Sequence, residues 1–262
     1  MHARLESISC WRARLTAVCT VLWLTACAGT PPVPEWKLRS SAALDRATQA
    51  TLTGEMRRAQ GDYQEAFDQI ARSGQPALMA RAHLLKCAVE AASLDFTGCA
   101  EFDARRMDAS PGDQAYADYL VGRLKPEDLA KLPAQHRPFA SAAALATAAT
   151  SATSATAVTS ATSATAATAA SLATSATLLA ALKSEGDPLT RLVAASVLLR
   201  TGQASPEVIA VAVEAASAQG WRYPLAAWLR GQIQLAEKSG NTALAQAAQR
   251  RLDMVLAKKL SP

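Results

Sequence analysis

The chain of 262 residues carries 27 Lys and Arg against 22 Asp and Glu, and a net charge of +5 is too small to argue for a nucleic-acid-binding protein. Half of the residues are hydrophobic but only 5% are aromatic, the apolar share being carried by Ala and Leu. Both are strong helix formers, and extended β-branched alternation is missing, so the folded part is read as all-α.

Residues 1–26 have the order of an export signal. Arg4, Arg12 and Arg14 supply the positive end. Leu15–Trp23 is the apolar core, shorter than the roughly 20 apolar residues a spanning helix needs. The next four residues, Leu24-Thr25-Ala26-Cys27, resemble the lipobox of bacterial lipoproteins, where the signal is cut before the cysteine and the cysteine receives lipid. The resemblance implies a mature chain that begins at a lipidated Cys27 and is held to a membrane by its acyl chains. Ala28, which follows, is similar to the residue that directs such proteins to the outer membrane. An ordinary signal peptide with a chance cysteine, and a helix that is never exported, are the competing readings. Residues 27–38 then form a tether, kept extended by Pro31, Pro32 and Pro34. Without residues 1–26 there remain 24 basic and 21 acidic residues, a net charge of +3.

Residues 39–140 are read as an N-terminal helical region. A helical stretch from Ala42 to Arg58 leads into Gly61-Asp62-Tyr63-Gln64-Glu65-Ala66, and the pairs Asp62-Tyr63, Asp95-Phe96 and Asp128-Leu129 stand 33 residues apart. This resembles a tetratricopeptide repeat, whose period is 34. The resemblance implies a turn at Gly61-Asp62-Tyr63, with Gly54 and Ala66 as the small residues where two paired helices touch. It covers about residues 42–110. The large aromatic early in the first helix is missing, Arg57 replaces a usual aromatic, and no proline closes the unit.

In that register Cys87 lies 33 residues after Gly54, and Cys99 lies 33 after Ala66. With Cys10 and Cys19 removed with the signal and Cys27 lipidated, these two are left as a pair. An oxidising compartment favours a bridge between them; two unpaired core cysteines are the alternative. Their spacing suits neither a metal site nor a redox motif.

Residues 141–177 form an Ala/Ser/Thr low-complexity insertion with a three-residue beat that matches neither helix nor strand. Helix is expected from Pro138 to about Thr147, then a mobile stretch, then helix again from about Ala173. One continuous helix is the rival reading for 148–172. The clustered hydroxyls are read as a tolerated insertion, or else as acceptors for O-glycosylation.

Residues 178–262 are read as a C-terminal helical region packing with the N-terminal one. Asp187, Ser205 and Asn241 are helix starts, and Gly186, Gly202, Gly220 and Gly240 are breaks. The helices fall at Leu189–Arg200, Pro206–Ala218, Pro224–Lys238 and Thr242–Lys259. The whole is expected to be stacked antiparallel helical hairpins, a tetratricopeptide-like α-solenoid interrupted by the low-complexity segment.

Catalytic motifs are missing: there is no HExxH, SxxK, GxSxG or Gly-rich phosphate loop. His83 and His136 are read as structural or exposed. Trp36, Tyr116, Tyr119, Trp221, Tyr223 and Trp228 are core candidates first and groove candidates second. The expectation is an outer-membrane lipoprotein facing the periplasm, acting as an interaction module for another envelope protein or peptide, with no cofactor, metal or nucleic acid. The alternatives are a murein-acting hydrolase, whose two carboxylates only the fold would bring together, and a passive structural lipoprotein.

Overall fold

In the computed structural model, residues 32–97, 99–144 and 175–257 are described. Helix and turn account for them, and no strand occurs among them. From Trp36 onward they belong to one compact unit. No helix among them is long and apolar enough to cross a membrane. Cys27, the tether up to Pro31 and the stretch 148–172 lie outside the described residues.

Three helices open the unit: α1 (Glu35–Thr53), α2 (Met56–Ala71) and α3 (Pro76–Ala92). They end at Gly54, Gly74 and Leu94, all with positive φ and spaced twenty residues apart. At Gly54 the left-handed conformation lets the Glu55 N–H turn back to the Ala50 carbonyl at 2.7 Å, which satisfies a helix-end acceptor. Leu94 adopts the same conformation without being glycine, and the Asp95 N–H bonds to the Glu90 carbonyl at 3.1 Å. A short α4 (Ala100–Asp103), a tight turn at Arg106–Asp108 and α5 (Pro111–Leu120) follow. Two 3-10 turns, Pro126–Lys131 and Ala134–His136, lead into helical residues 137–144.

Helical residues 175–184 resume the chain before α6 (Pro188–Arg200), α7 (Pro206–Ala218), α8 (Arg222–Lys238) and α9 (Thr242–Ala257). The caps read from the sequence are formed. Asp187 accepts from the Thr190 N–H at 2.7 Å, Ser205 from Val208 at 3.4 Å and Asn241 from Leu244 at 3.1 Å. Proline stands in the first turn after Asp187 and Ser205, where its missing N–H costs nothing.

The core sits where α3 meets α6. Both helices are buried nearly all round, which is the mark of a central helix rather than a surface one. From Leu192 to Leu198 every residue of α6 is buried. α3 touches α2, α4, α5 and α6, while α6 also touches α5 and α7, and α7, α8 and α9 continue in sequence. Trp228 of α8 is fully buried, and its indole N–H donates to the Ala92 carbonyl at the end of α3, 3.0 Å away. A smaller cluster of Ala47, Ala50, Ala59 and Tyr63 joins α1 to α2.

Three expectations are corrected. The stretch Ala42–Arg58 is not one helix, because the chain turns at Gly54. Gly61-Asp62-Tyr63 is not a turn but lies inside α2 together with Ala66. There Tyr63 and Ala66 are buried, and Asp62 is held at 2.8 Å by Arg46 of α1 and at 3.7 Å by Arg58 one turn earlier. The amphipathic face of α2 thus prevails over the local turn tendency of one glycine. The 33-residue echo also carries no common structure, since Asp62 is helical, Asp95 starts a side-chain turn onto Thr97, and Asp128 lies in a 3-10 turn.

His136 is buried against Tyr116 and Tyr119, with ring centroids 5.0 and 5.2 Å away, and its Nε2 shares a 3.2 Å hydrogen bond with the Tyr116 hydroxyl. Burial pushes its pKa down to about 4, with Asp187 opposing. The unfolded chain therefore takes up a proton near pH 6.5 that the folded chain refuses until about pH 4. Stability from this residue is complete above pH 6.5 and is lost as pH falls toward 4, by about 3 kcal/mol in all. We expect His136→Phe to flatten the pH dependence of urea unfolding between pH 6.5 and 4 by that amount. An unchanged slope would refute the assignment.

Candidate binding groove

Helical spacing builds an open concavity beside α2 and α3. On α2, Met56, Gln60, Tyr63, Phe67 and Ala71 recur every three or four positions and share one face. On α3, Met79, His83, Lys86 and Glu90 do the same. The two stripes line an open groove of about 660 Å³. Glu101 of α4 and the following Arg105 form its wall, and Asp95 and Tyr223 also line it.

A stack of rings spans the groove between the two helices. Phe67 lies 4.2 Å from His83, centroid to centroid, nearly parallel to it, and Tyr63 follows at 6.1 Å. His83 is buried, and its Nδ1 faces a Glu101 carboxylate oxygen at 3.0 Å. Burial, helped by the Arg105 charge, holds the His83 pKa below its ordinary value. The ring is therefore neutral at neutral pH, and Nδ1–H donates to Glu101. The same carboxylate oxygen accepts from Lys86 at 3.1 Å. Burial works to raise the Glu101 pKa, but Lys86 and His83 outweigh it and the carboxyl titrates below its usual range.

Glu90 is placed differently. Lys86 stands 3.8 Å from one of its oxygens, and the other is buried without a hydrogen-bond partner. Burial, with the nearby Asp95 and Glu101 charges, raises its pKa. Tyr223 is shifted up as well, by burial first and then by Asp95 and Glu90.

The wall is pinned covalently. Cys87 of α3 is bonded to Cys99, with Cα atoms 4.8 Å apart, inside the span a disulfide needs. Cys99 immediately precedes α4, so the bond holds Glu101, two residues on, over His83 and Lys86. The bridge thus joins one long helix to the start of a four-residue one.

The sequence-predicted residues are scattered relative to this site. Tyr63 lines the groove, whereas Gly54, Gly61, Asp62 and Ala66 do not. Of the aromatics, Tyr223 joins it, while Trp221 and Trp228 are core. Phe67, Lys86, Glu90, Glu101 and Arg105 were not singled out by sequence reasoning. The signal for the first three lay in the helical periodicity of 56–71 and 79–90, the first of which the reading of a turn at Gly61 interrupted. No group of three or more His, Cys, Asp or Glu able to hold a metal occurs among the described residues.

The fold and site define an all-α protein with an open, mixed aromatic and ionic groove. No protein-family model matches the chain, and no curated protein or solved structure does.

Closing the short loop between the two cysteines contributes about 3 kcal/mol in the chain-entropy description. Reducing the bridge, or introducing Cys99→Ser, is expected to lower urea-unfolding stability by that amount. It is also expected to shift the His83 ring resonances as Glu101 is released. Unchanged resonances would show that the bridge does not position the wall.

Proposed function

We propose that the chain is an outer-membrane lipoprotein of the cell envelope that holds another envelope protein in the groove between α2 and α3. The groove carries this reading. It is open rather than enclosed, and it sets apolar rings beside charged groups, which suits a short protein segment lying across it. The address rests on Leu24-Thr25-Ala26-Cys27 and on the basic and apolar residues before it. Acyl chains on Cys27 and the prolines after it set the helical unit at the membrane surface without embedding it.

The architecture fits the same role as a tetratricopeptide-like stack without that family's register. Hairpins recur at about forty residues instead of 34, counted from the left-handed helix ends at 54, 74 and 94 and again at 202, 220 and 240. Stacked hairpins leave a concave face between neighbours, which such proteins use for binding.

Two measurements test the proposal. Cys27→Ser is expected to move the protein from the membrane fraction to the soluble fraction. A photo-crosslinker replacing Gln60, exposed on the groove face of α2, is expected to trap one envelope protein in cells. One replacing Asp253, on the exposed side of α9, is not. Equal trapping at both positions, or none at Gln60, would overturn the role of the groove.

A further inference from the structure

The partner segment can be specified by charge, an inference that rests on the proposed binding role of the groove. The lining contains four carboxylates, Asp68, Glu90, Asp95 and Glu101, against two cations, Lys86 and Arg105. With His83 neutral, the groove has a net charge of −2, in a chain whose overall charge is +5. The acid is therefore concentrated where the surface is concave.

The two cations are already committed. Lys86 bonds to Glu101 at 3.1 Å, and Arg105 donates to the Glu101 backbone carbonyl at 2.8 Å. Asp68 and Asp95 each accept from a neighbour of their own segment, Gln64 and Thr97. Glu90 is the exception. One of its oxygens is buried and accepts nothing, and the other has only the distant Lys86. A buried carboxylate oxygen without a donor is costly, and a charge-assisted hydrogen bond would satisfy it. Phe67 and Tyr223 meanwhile present rings that can cover the alkyl stem of a long basic side chain, or stack on a guanidinium.

We infer that the groove binds a Lys- or Arg-bearing segment of its partner protein, with a basic side chain on Glu90 and apolar side chains on the half-buried Phe67 ring. Acidic and neutral segments are disfavoured, because they leave the Glu90 oxygen without a donor and the acidic surplus uncompensated.

The test uses the full chain and two fluorescently labelled synthetic peptides, alike in their Leu and Ala positions, with Lys at the polar positions of one and Glu at those of the other. Anisotropy titration at low salt is expected to show the Lys peptide binding at least about tenfold more tightly, as one charge-assisted bond implies. The preference should shrink as salt is raised. Glu90→Gln should remove most of it, and Phe67→Ala should weaken the Lys peptide further. Glu214→Gln, on the exposed face of α7, should change nothing. Equal affinity for the two peptides, no measurable binding of either, or a preference that survives Glu90→Gln would overturn the inference. A partner trapped at Gln60 through an acidic or neutral segment would overturn it too, while leaving the binding role of the groove intact.

Discussion

Everything in this molecule depends on the contact between α3 and α6. These helices lie about a hundred residues apart in the chain, with the Ala/Ser/Thr segment between them, yet each buries nearly its whole circumference. Small residues make this possible. Ala80, Ala88, Ala91 and Ala92 on α3, and Ala194, Ala195 and Ser196 on α6, are buried and small enough to let backbones approach. The close approach has a cost, because alanine alone buries little apolar area per residue. Larger side chains compensate at the rim, where Phe102, Phe139, Leu182 and Trp228 are buried. Trp228 matters doubly, because its indole N–H also satisfies the Ala92 carbonyl at an α3 terminus that would otherwise be buried without a donor.

The residues on either side of the Ala/Ser/Thr segment are anchored independently of it. The helical residues that precede and follow it reach the core on their own account, through Phe139, Ala140 and Ala142 on one side and Leu178 and Leu182 on the other. Loop-closure entropy grows only logarithmically with length. Lengthening a connection whose two ends are each anchored therefore costs little compared with losing either anchor.

The C-terminal half was legible residue by residue, and the N-terminal half was not. From Asp187 onward α6, α7 and α9 start with an oxygen-bearing cap, and α6, α7 and α8 end at a glycine, so there local chemistry and tertiary packing agree. In the first half they disagree. Gly61 looks like a break, but its place on the exposed side of an amphipathic helix costs only about 1 kcal/mol relative to alanine. Burial of Tyr63 and Ala66 and the Arg46–Asp62 bond exceed that. Conversely, Leu94 looks like an ordinary apolar residue and yet ends a helix in the left-handed conformation, because Leu94 and the following loop are drawn onto the core beside the Cys87–Cys99 bridge. The groove stayed hidden for the same reason. Its two stripes follow helical periodicity, but their facing one another is a tertiary fact, and Glu101 reaches the site only through the short α4.

The groove is open because its own side chains hold it open. α2 is attached to α1 through a small cluster of Ala47, Ala50, Ala59 and Tyr63. Toward α3 it presents Phe67, whose ring meets the His83 ring face to face at 4.2 Å. Closer approach of the two helices would need that stack to slide apart, and the Glu101 and Lys86 contacts fix one half of it. The disulfide in turn fixes Glu101. A chain of constraints therefore runs from a covalent bond on α3, through a carboxylate, to a histidine and then to an aromatic ring on α2. Its effect is to keep a concave surface in existence within the isolated chain. Preorganisation of this kind removes part of the ordering cost of binding, and it is the link between the structural bridge and the proposed binding role.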